Sequence, residues 1–302
     1  MLIRQRRPWD IPERELTPES ACWNRREILA AAGFFGAAGL LAAAAPRNPK
    51  YTLDRPITDE AAATGFNNYY EFDAESKERV RLLTDKFVTT PWKIEVKGLV
   101  NKPQTFDLDD LLKKMKIEER TYRFRCVEAW SMAVPWMGFP LADLIKLVDP
   151  KPEAKFVRFQ TTYRPDQMPG IKKYNWYPWP YFEGVRIDEA LNELAFVATG
   201  LYGKPLPKQN GAPFRMVFPW KYGYKGAKSV EKIEFVAKQP ETFWNRLQPQ
   251  EYGFYSNVNP KKPHPRWSQA TEKVIPNMER RPTLLYNGYE QFVSALYNGD
   301  EF

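Results

Sequence analysis

A chain of 302 residues, 43% hydrophobic and 15% aromatic, has material for one large buried core or two moderate ones, which excludes a disordered polypeptide. Its net charge of +8 suits an anionic ligand, an acidic partner or a membrane surface. Yet 45 basic residues are interspersed with 37 acidic ones, without a basic helix, zinc-finger spacing or RNA-binding signature, so no nucleic-acid partner is expected. Two cysteines, Cys22 and Cys126, and one histidine, His264, cannot build a Cys/His zinc site, a four-Cys iron–sulfur cluster or a C-x-x-C-H haem attachment; any redox metal must bring most of its own ligands.

Residues 1–45 read as an export signal: Arg25-Arg26 precedes a soft Gly/Ala-rich apolar run that exits through alanines before Pro46. The alternative is an uncleaved anchor, although so much Ala and Gly makes a poor lipid-facing helix. Cleavage removes Cys22 and leaves residues 46–302 as the expected domain. Residues 46–65 form a linker into Phe66-Asn-Asn-Tyr-Tyr-Glu-Phe72, either an ordinary loop with capping asparagines or a set of amide donors and acceptors for a heterocyclic edge.

From Trp92 the pattern becomes regular. Ile94 and Val96 alternate as a strand, Asp107 caps a short helix through Leu112, and the strand leading to Cys126 follows. A helix is expected near Leu144–Val148, a strand over Ala154–Thr161, a helix near Ile187–Leu191, and strands near Ala195–Leu201, Phe214–Phe218 and Val230–Phe235, with a last helix near Phe292–Leu296. Strands dominate, helices are short, and 27 prolines favour long ordered loops, so the fold class expected is mixed α+β.

The stretch around Cys126 holds the one cysteine outside the signal. Tyr122, Phe124 and Cys126 share one strand face, with Arg123 and Arg125 on the other. Such a thiol is either an inert core group or, with guanidinium charges favouring the thiolate, a soft metal ligand or nucleophile. Two later loops, Lys208–Arg215 and Trp220–Ser229, combine glycines with Lys and Arg; they are either turns carrying solvated lysines or cradles for a phosphate. His264, between prolines, suggests a constrained surface turn more than a catalytic base.

Taken together, the runs Tyr-Arg-Phe-Arg-Cys126-Val-Glu-Ala-Trp-Ser, Gln209-Asn-Gly-Ala-Pro213, Pro219-Trp-Lys-Tyr-Gly223, Glu251-Tyr-Gly-Phe-Tyr255 and His264-Pro-Arg-Trp-Ser-Gln-Ala-Thr-Glu272 resemble the MsrP (YedY-like) catalytic subunits of periplasmic protein-methionine-sulfoxide reductases. The resemblance covers essentially the whole mature chain and the type of signal. It implies a strand-rich sulfite-oxidase-like molybdopterin-binding fold and one Mo-molybdopterin per subunit, with Cys126 as the protein's metal ligand. By position it assigns the cofactor to Asn67, Tyr70, Glu71, Thr161, Asn210 and Arg215, and its phosphate end to the Gly226-Ala227-Lys228 turn. It further implies a periplasmic reductase of free or protein-bound methionine sulfoxide, exported folded through the Tat machinery. Oxidised periplasmic proteins would be its substrates, and a haem-binding membrane subunit, MsrQ, would supply electrons from the quinone pool. A reductase of small S-oxides or N-oxides on the same fold is the alternative. Glu128, two residues past Cys126, is either a proton donor or second partner to the site, or the partner of a salt bridge to Arg123 or Arg125.

Overall fold

The computed structural model describes residues 45–298. The expected signal over 1–45 lies outside the described residues except for Ala45. Among the described residues no helix is long and apolar enough to cross a membrane.

The first helix, α1 (Glu60–Gly65), is capped by Asp59, whose carboxylate accepts from the Ala61 and Ala62 amides. Strand β1 (Lys93–Gly98) buries Ile94 and Val96 on one face, and β2 (Gln104–Asp107) returns beside it. Asp107 then caps α2 (Leu108–Lys114) by accepting from the Asp109 amide, as its sequence position predicts.

Strand β3 (Glu118–Arg125) turns into the long strand β4 (Trp130–Pro140), which feeds α3 (Leu141–Val148). That helix buries Leu141, Leu144, Ile145 and Val148, one apolar stripe at helical spacing, and stops at Asp149 in the left-handed region. Next come β5 (Phe156–Thr161), α4 (Pro169–Lys173), β6 (Phe182–Arg186), α5 (Ile187–Leu191), β7 (Phe196–Leu201), β8 (Lys204–Pro205), β9 (Arg215–Val217) and β10 (Val230–Val236). Helix α6 (Phe243–Leu247), strands β11 (Thr271–Val274) and β12 (Glu279–Pro282), and α7 (Glu290–Val293) complete the chain. The expected last helix is split, with a 3₁₀ turn at Ser294–Leu296 continuing α7.

The strands form two sheets around one hydrophobic core. The first runs β2-β1-β10-β5-β6, with β1 and β10 parallel and the other pairs antiparallel. The second runs β12-β11-β4-β7-β8, with β3 paired along β4 and β9 along β7. The fold is therefore mixed α+β, as expected. Strand β9 and the start of β10 bring the loop between them to the same place as the β3–β4 turn, so the two basic glycine loops and Cys126 meet although about a hundred residues separate them in sequence.

Candidate active site

The expected strand does not run through Cys126. It ends at Arg125, and Cys126 opens a four-residue connection to β4, closed by hydrogen bonds from the Cys126 amide to Trp130 O (2.9 Å) and from the Ala129 amide to Cys126 O (3.1 Å), with Ala129 at φ 64°. The turn lifts the thiol off the sheet and brings Glu128 back to it, so the Glu128 amide lies 3.5 Å from Cys126 Sγ. Glu128 is thus on the side expected of it, through a turn and not through strand alternation.

The tail clamps this turn. Trp267 Nε1 and Gln269 Nε2 each donate to Val127 O at 2.7 Å. The two strand arginines also behave differently from the simple alternation. Arg125 is fully buried; it donates to Cys126 O, Gln269 Oε1 (2.8 Å) and Thr283 Oγ1 (3.2 Å) and pairs with Glu272. Its charge is largely spent on those partners. Burial, reinforced by the Glu128 carboxylate, pushes the Cys126 thiol up to about 12, the opposite of the thiolate that the neighbouring guanidiniums suggested.

Cys126 lies on the wall of a cleft lined by aromatic rings and convergent polar side chains, the make-up expected of a ligand site. Asn68 Nδ2 reaches both Cys126 Sγ and Glu128 Oε2, each at 3.3 Å. Glu128 Oε2 also receives Trp130 Nε1 at 3.3 Å and pairs with Lys77 at 2.9 Å. The salt bridge weighed for Glu128 exists, but with Lys77 instead of Arg123 or Arg125.

Around the same cleft stand Asn67, Tyr70, Glu71, Asn210, Arg215 and Lys228. Arg215 is 3% exposed; its Nη1 donates to Asn210 O (2.8 Å), its guanidinium packs over the Trp136 ring at 4.8 Å, and burial pulls it down to about 10. Burial likewise lowers the Lys228 ammonium and raises the Glu71 carboxyl, the two facing each other. Asn210 Nδ2 donates to Ala63 O, while its Oδ1 is buried with no hydrogen-bond partner. A buried acceptor of that kind is costly unless a ligand donates to it.

Glycine makes this cradle possible. Gly211 sits at φ +101°, where a Cβ would stand 2.9 Å from the Lys228 side chain, and a Cβ on Gly226 would meet Met216 O at 2.5 Å and Arg215 Nη2 at 3.2 Å.

Three residues assigned to the cofactor do not reach the wall. Thr161 is fully buried behind it and donates through Oγ1 to Lys228 O (2.8 Å), while Gly226 and Ala227 are buried in the turn whose third residue, Lys228, faces the cleft. The expectation that the glycine loops hold solvated lysines fails as well: Lys221 and Lys225 are each 1% exposed. His264 is no surface residue either. It is buried, stacked on Trp267 at 3.8 Å and 3.4 Å from Glu251 Oε2, and burial lowers its pKa.

Sequence reasoning passed over Asn68 and Lys77, and over the aromatic walls built by Phe66, Trp136, Tyr181, Trp244 and Tyr252. Asn68 was inside the amide-aromatic run already singled out; nothing local distinguished it from Asn67. Lys77 carries no signal in its own neighbourhood. Among the described residues, no three of His, Cys, Asp and Glu converge to hold a metal ion, so a metal at Cys126 would arrive chelated.

Residues 82–244 match the family described as oxidoreductase molybdopterin binding domain. The chain is 47% identical over 312 aligned positions to the protein-methionine-sulfoxide reductase catalytic subunit MsrP of Burkholderia mallei (strain ATCC 23344), covering 96% of this chain and 94% of that one. This chain belongs to the MsrP family. It is accordingly a molybdopterin oxidoreductase, and the cleft chemistry of this MsrP-family member agrees with that. Two cations on the wall suit a phosphate, an orphaned amide oxygen suits a ring N–H, and one thiol suits a soft metal. The crystal structure of the sulfane dehydrogenase SoxCD from Paracoccus pantotrophus is also similar, at 18% identity and a TM-score of 0.44, over 67% of this chain and 47% of that one.

Proposed function

We propose that this chain reduces methionine sulfoxide, free or within oxidised proteins, to methionine in the periplasm. What supports it above all is near full-length 47% identity to a methionine-sulfoxide reductase subunit, joined to a cleft in which the one described cysteine stands beside Glu128 and which Arg215 and Lys228 also line. When bound, Mo-molybdopterin supplies oxygen-atom abstraction from the sulfoxide, with two electrons and two protons releasing that oxygen as water.

In this reading Cys126 ligates the metal, and one cofactor serves each subunit. Arg215 and Lys228 hold the phosphate, with Thr161 and the Gly226-Ala227 backbone fixing Lys228 from behind. Asn210 Oδ1 accepts from the pterin, and Asn67, Tyr70 and Glu71 complete its surroundings. Glu128, held between Asn68, Trp130 and Lys77, carries protons to the sulfoxide oxygen, and Asn68 keeps that carboxylate in register with the thiol. The aromatic walls exclude water from the reacting sulfur.

The twin-arginine pattern at Arg25-Arg26 supports export of the folded, loaded protein by the Tat machinery, with residues 1–45 removed. Electrons come from the haem-binding membrane subunit MsrQ and the quinone pool. The deciding assay gives the dye-reduced enzyme an oxidised Met-containing protein, free methionine sulfoxide and trimethylamine N-oxide. Turnover of the first two is expected; turnover of the N-oxide alone would move the chain to the small-oxide reductases.

A further inference from the structure

We infer that a band of aromatic rings crossing the mouth of the cleft is the track on which the polypeptide flanking a methionine sulfoxide lies, an inference that rests on the function proposed above. Each ring contacts the next: Trp176 and Tyr177 (5.8 Å between centroids), Tyr177 and Trp244 (6.4 Å), Trp244 and Tyr252 (5.2 Å), Tyr252 and His264 (5.4 Å), His264 and Trp267 (3.8 Å). Trp244 and Tyr252 line the cleft with Cys126 and Glu128, and so does Tyr70, which stacks on Tyr177 at 6.4 Å. The row of rings therefore joins the cleft wall at Trp244 and Tyr252, runs to Tyr177 and Trp176 on one side and to His264 and Trp267 on the other, and is buried at Tyr252 and His264.

It is not simply core. Trp176, at 66%, is the most exposed large hydrophobic side chain among the described residues, and Tyr177, Trp244 and Trp267 are half-buried. Exposed rings continuous with a site mark a surface that something covers.

The chemistry of the occupant follows from the lesion. A methionine sulfoxide within a protein brings backbone and neighbouring side chains on both sides of the sulfur, whereas the free amino acid brings neither. Aromatic faces accept such side chains with little regard to sequence. A free amino acid needs the centre of the band; a polypeptide needs the ends.

A second feature points the same way. At the Tyr252 end the cleft adjoins a second hollow that shares Val127, Tyr224 and Tyr252 with it. His264 lines this hollow with its Nε2 buried and lacking a hydrogen-bond partner, 3.4 Å from Glu251 Oε2. Its Nδ1 accepts from the Arg266 amide at 3.2 Å, so in the neutral ring the proton is on Nε2, on the side of the Glu251 carboxylate.

The test compares the loaded wild-type enzyme with Trp176→Ala and Trp176→Phe, all driven by a reduced dye. The substrates are free methionine sulfoxide and a nonapeptide whose central methionine sulfoxide is flanked by leucines. Trp176→Ala is expected to raise KM for the peptide about fivefold, the scale of one lost aromatic contact, with kcat and the free-substrate kinetics within about twofold of wild type; Trp176→Phe restores the peptide KM. An unchanged peptide KM, or equal losses on both substrates, would overturn the track. Normal dye-driven peptide turnover with slowed turnover from the membrane electron donor would also overturn it, making the band the donor's docking face. A wild-type enzyme inactive on both sulfoxides would remove the proposed function itself, which none of the other outcomes does.

Discussion

Four basic residues lie within fifteen positions of one another, and they divide into two pairs that meet opposite fates. Lys221 is buried against Glu189, with Tyr255 O at 2.8 Å and Asn257 Oδ1 at 2.9 Å; Lys225 is buried against Glu183 at 2.9 Å and donates to Phe254 O at 2.7 Å. Both tie the 220s loop to β6 and α5 and to the tail. Arg215 is as buried as they are and Lys228 is partly buried; neither sits in a short ion pair, Lys228 facing Glu71, and both line the cleft. A buried charge costs several kcal/mol unless it is matched. Matching inside the chain makes the first pair structural, whereas the second pair, without a short ion pair of its own, is the one proposed to meet the ligand.

Substitutions can break or sharpen that division. The largest effect belongs to Cys126→Ser, which is expected to lower sulfoxide turnover about a thousandfold or more and to strip molybdenum from the purified protein, read by metal analysis beside the assay. Lys221→Met leaves the buried Glu189 without its countercharge and should cost about 3–5 kcal/mol of unfolding free energy in a urea titration. Arg215→Met, by contrast, should leave the cofactor-free protein within about 1 kcal/mol of wild type, or more stable, while lowering cofactor retention about 100-fold. If Arg215→Met destabilises the empty protein as much as Lys221→Met does, the division between the pairs is wrong.

The smallest effect is in pH. Burial works to raise the Glu189 carboxyl, but the Lys221 ammonium and the Tyr297 hydroxyl bring it below its ordinary 4.5. A depressed folded-state pKa contributes stability that is present above about pH 4.5 and is lost as pH falls through the lower folded value. Glu189→Gln should therefore flatten the acid limb of the stability curve by about 1 kcal/mol, measured by denaturation between pH 5 and pH 2.

Much of the fold was legible because its signals are local. The alternation at Ile94 and Val96, the Asp107 cap and the Ile187–Leu191 helix depend on neighbours in sequence, and all three are observed. The candidate site was legible only in part. Cys126, Asn67, Tyr70, Glu71, Asn210, Arg215 and Lys228 share one cleft, as family resemblance assigned them, whereas Thr161, Gly226 and Ala227 stand behind it. Asn68 and Lys77 escaped notice because their meaning lies in contacts with residues about fifty to sixty positions away. The burial of His264 escaped for the same reason: prolines set its backbone, but Trp267 and Glu251 decide its exposure.

By itself the sequence determined the mixed α+β composition, the presence of a single cysteine outside the export pattern, and the family to which the chain belongs, because these follow from residue identity and short-range spacing. Only the tertiary structure decided which lysines are paired inside the chain and which line the cleft, and that burial raises the Cys126 thiol. Burial and charge pairing are properties of the neighbours that folding brings together, and a desolvated charge has no energy until its partner, or its lack of one, is fixed in space.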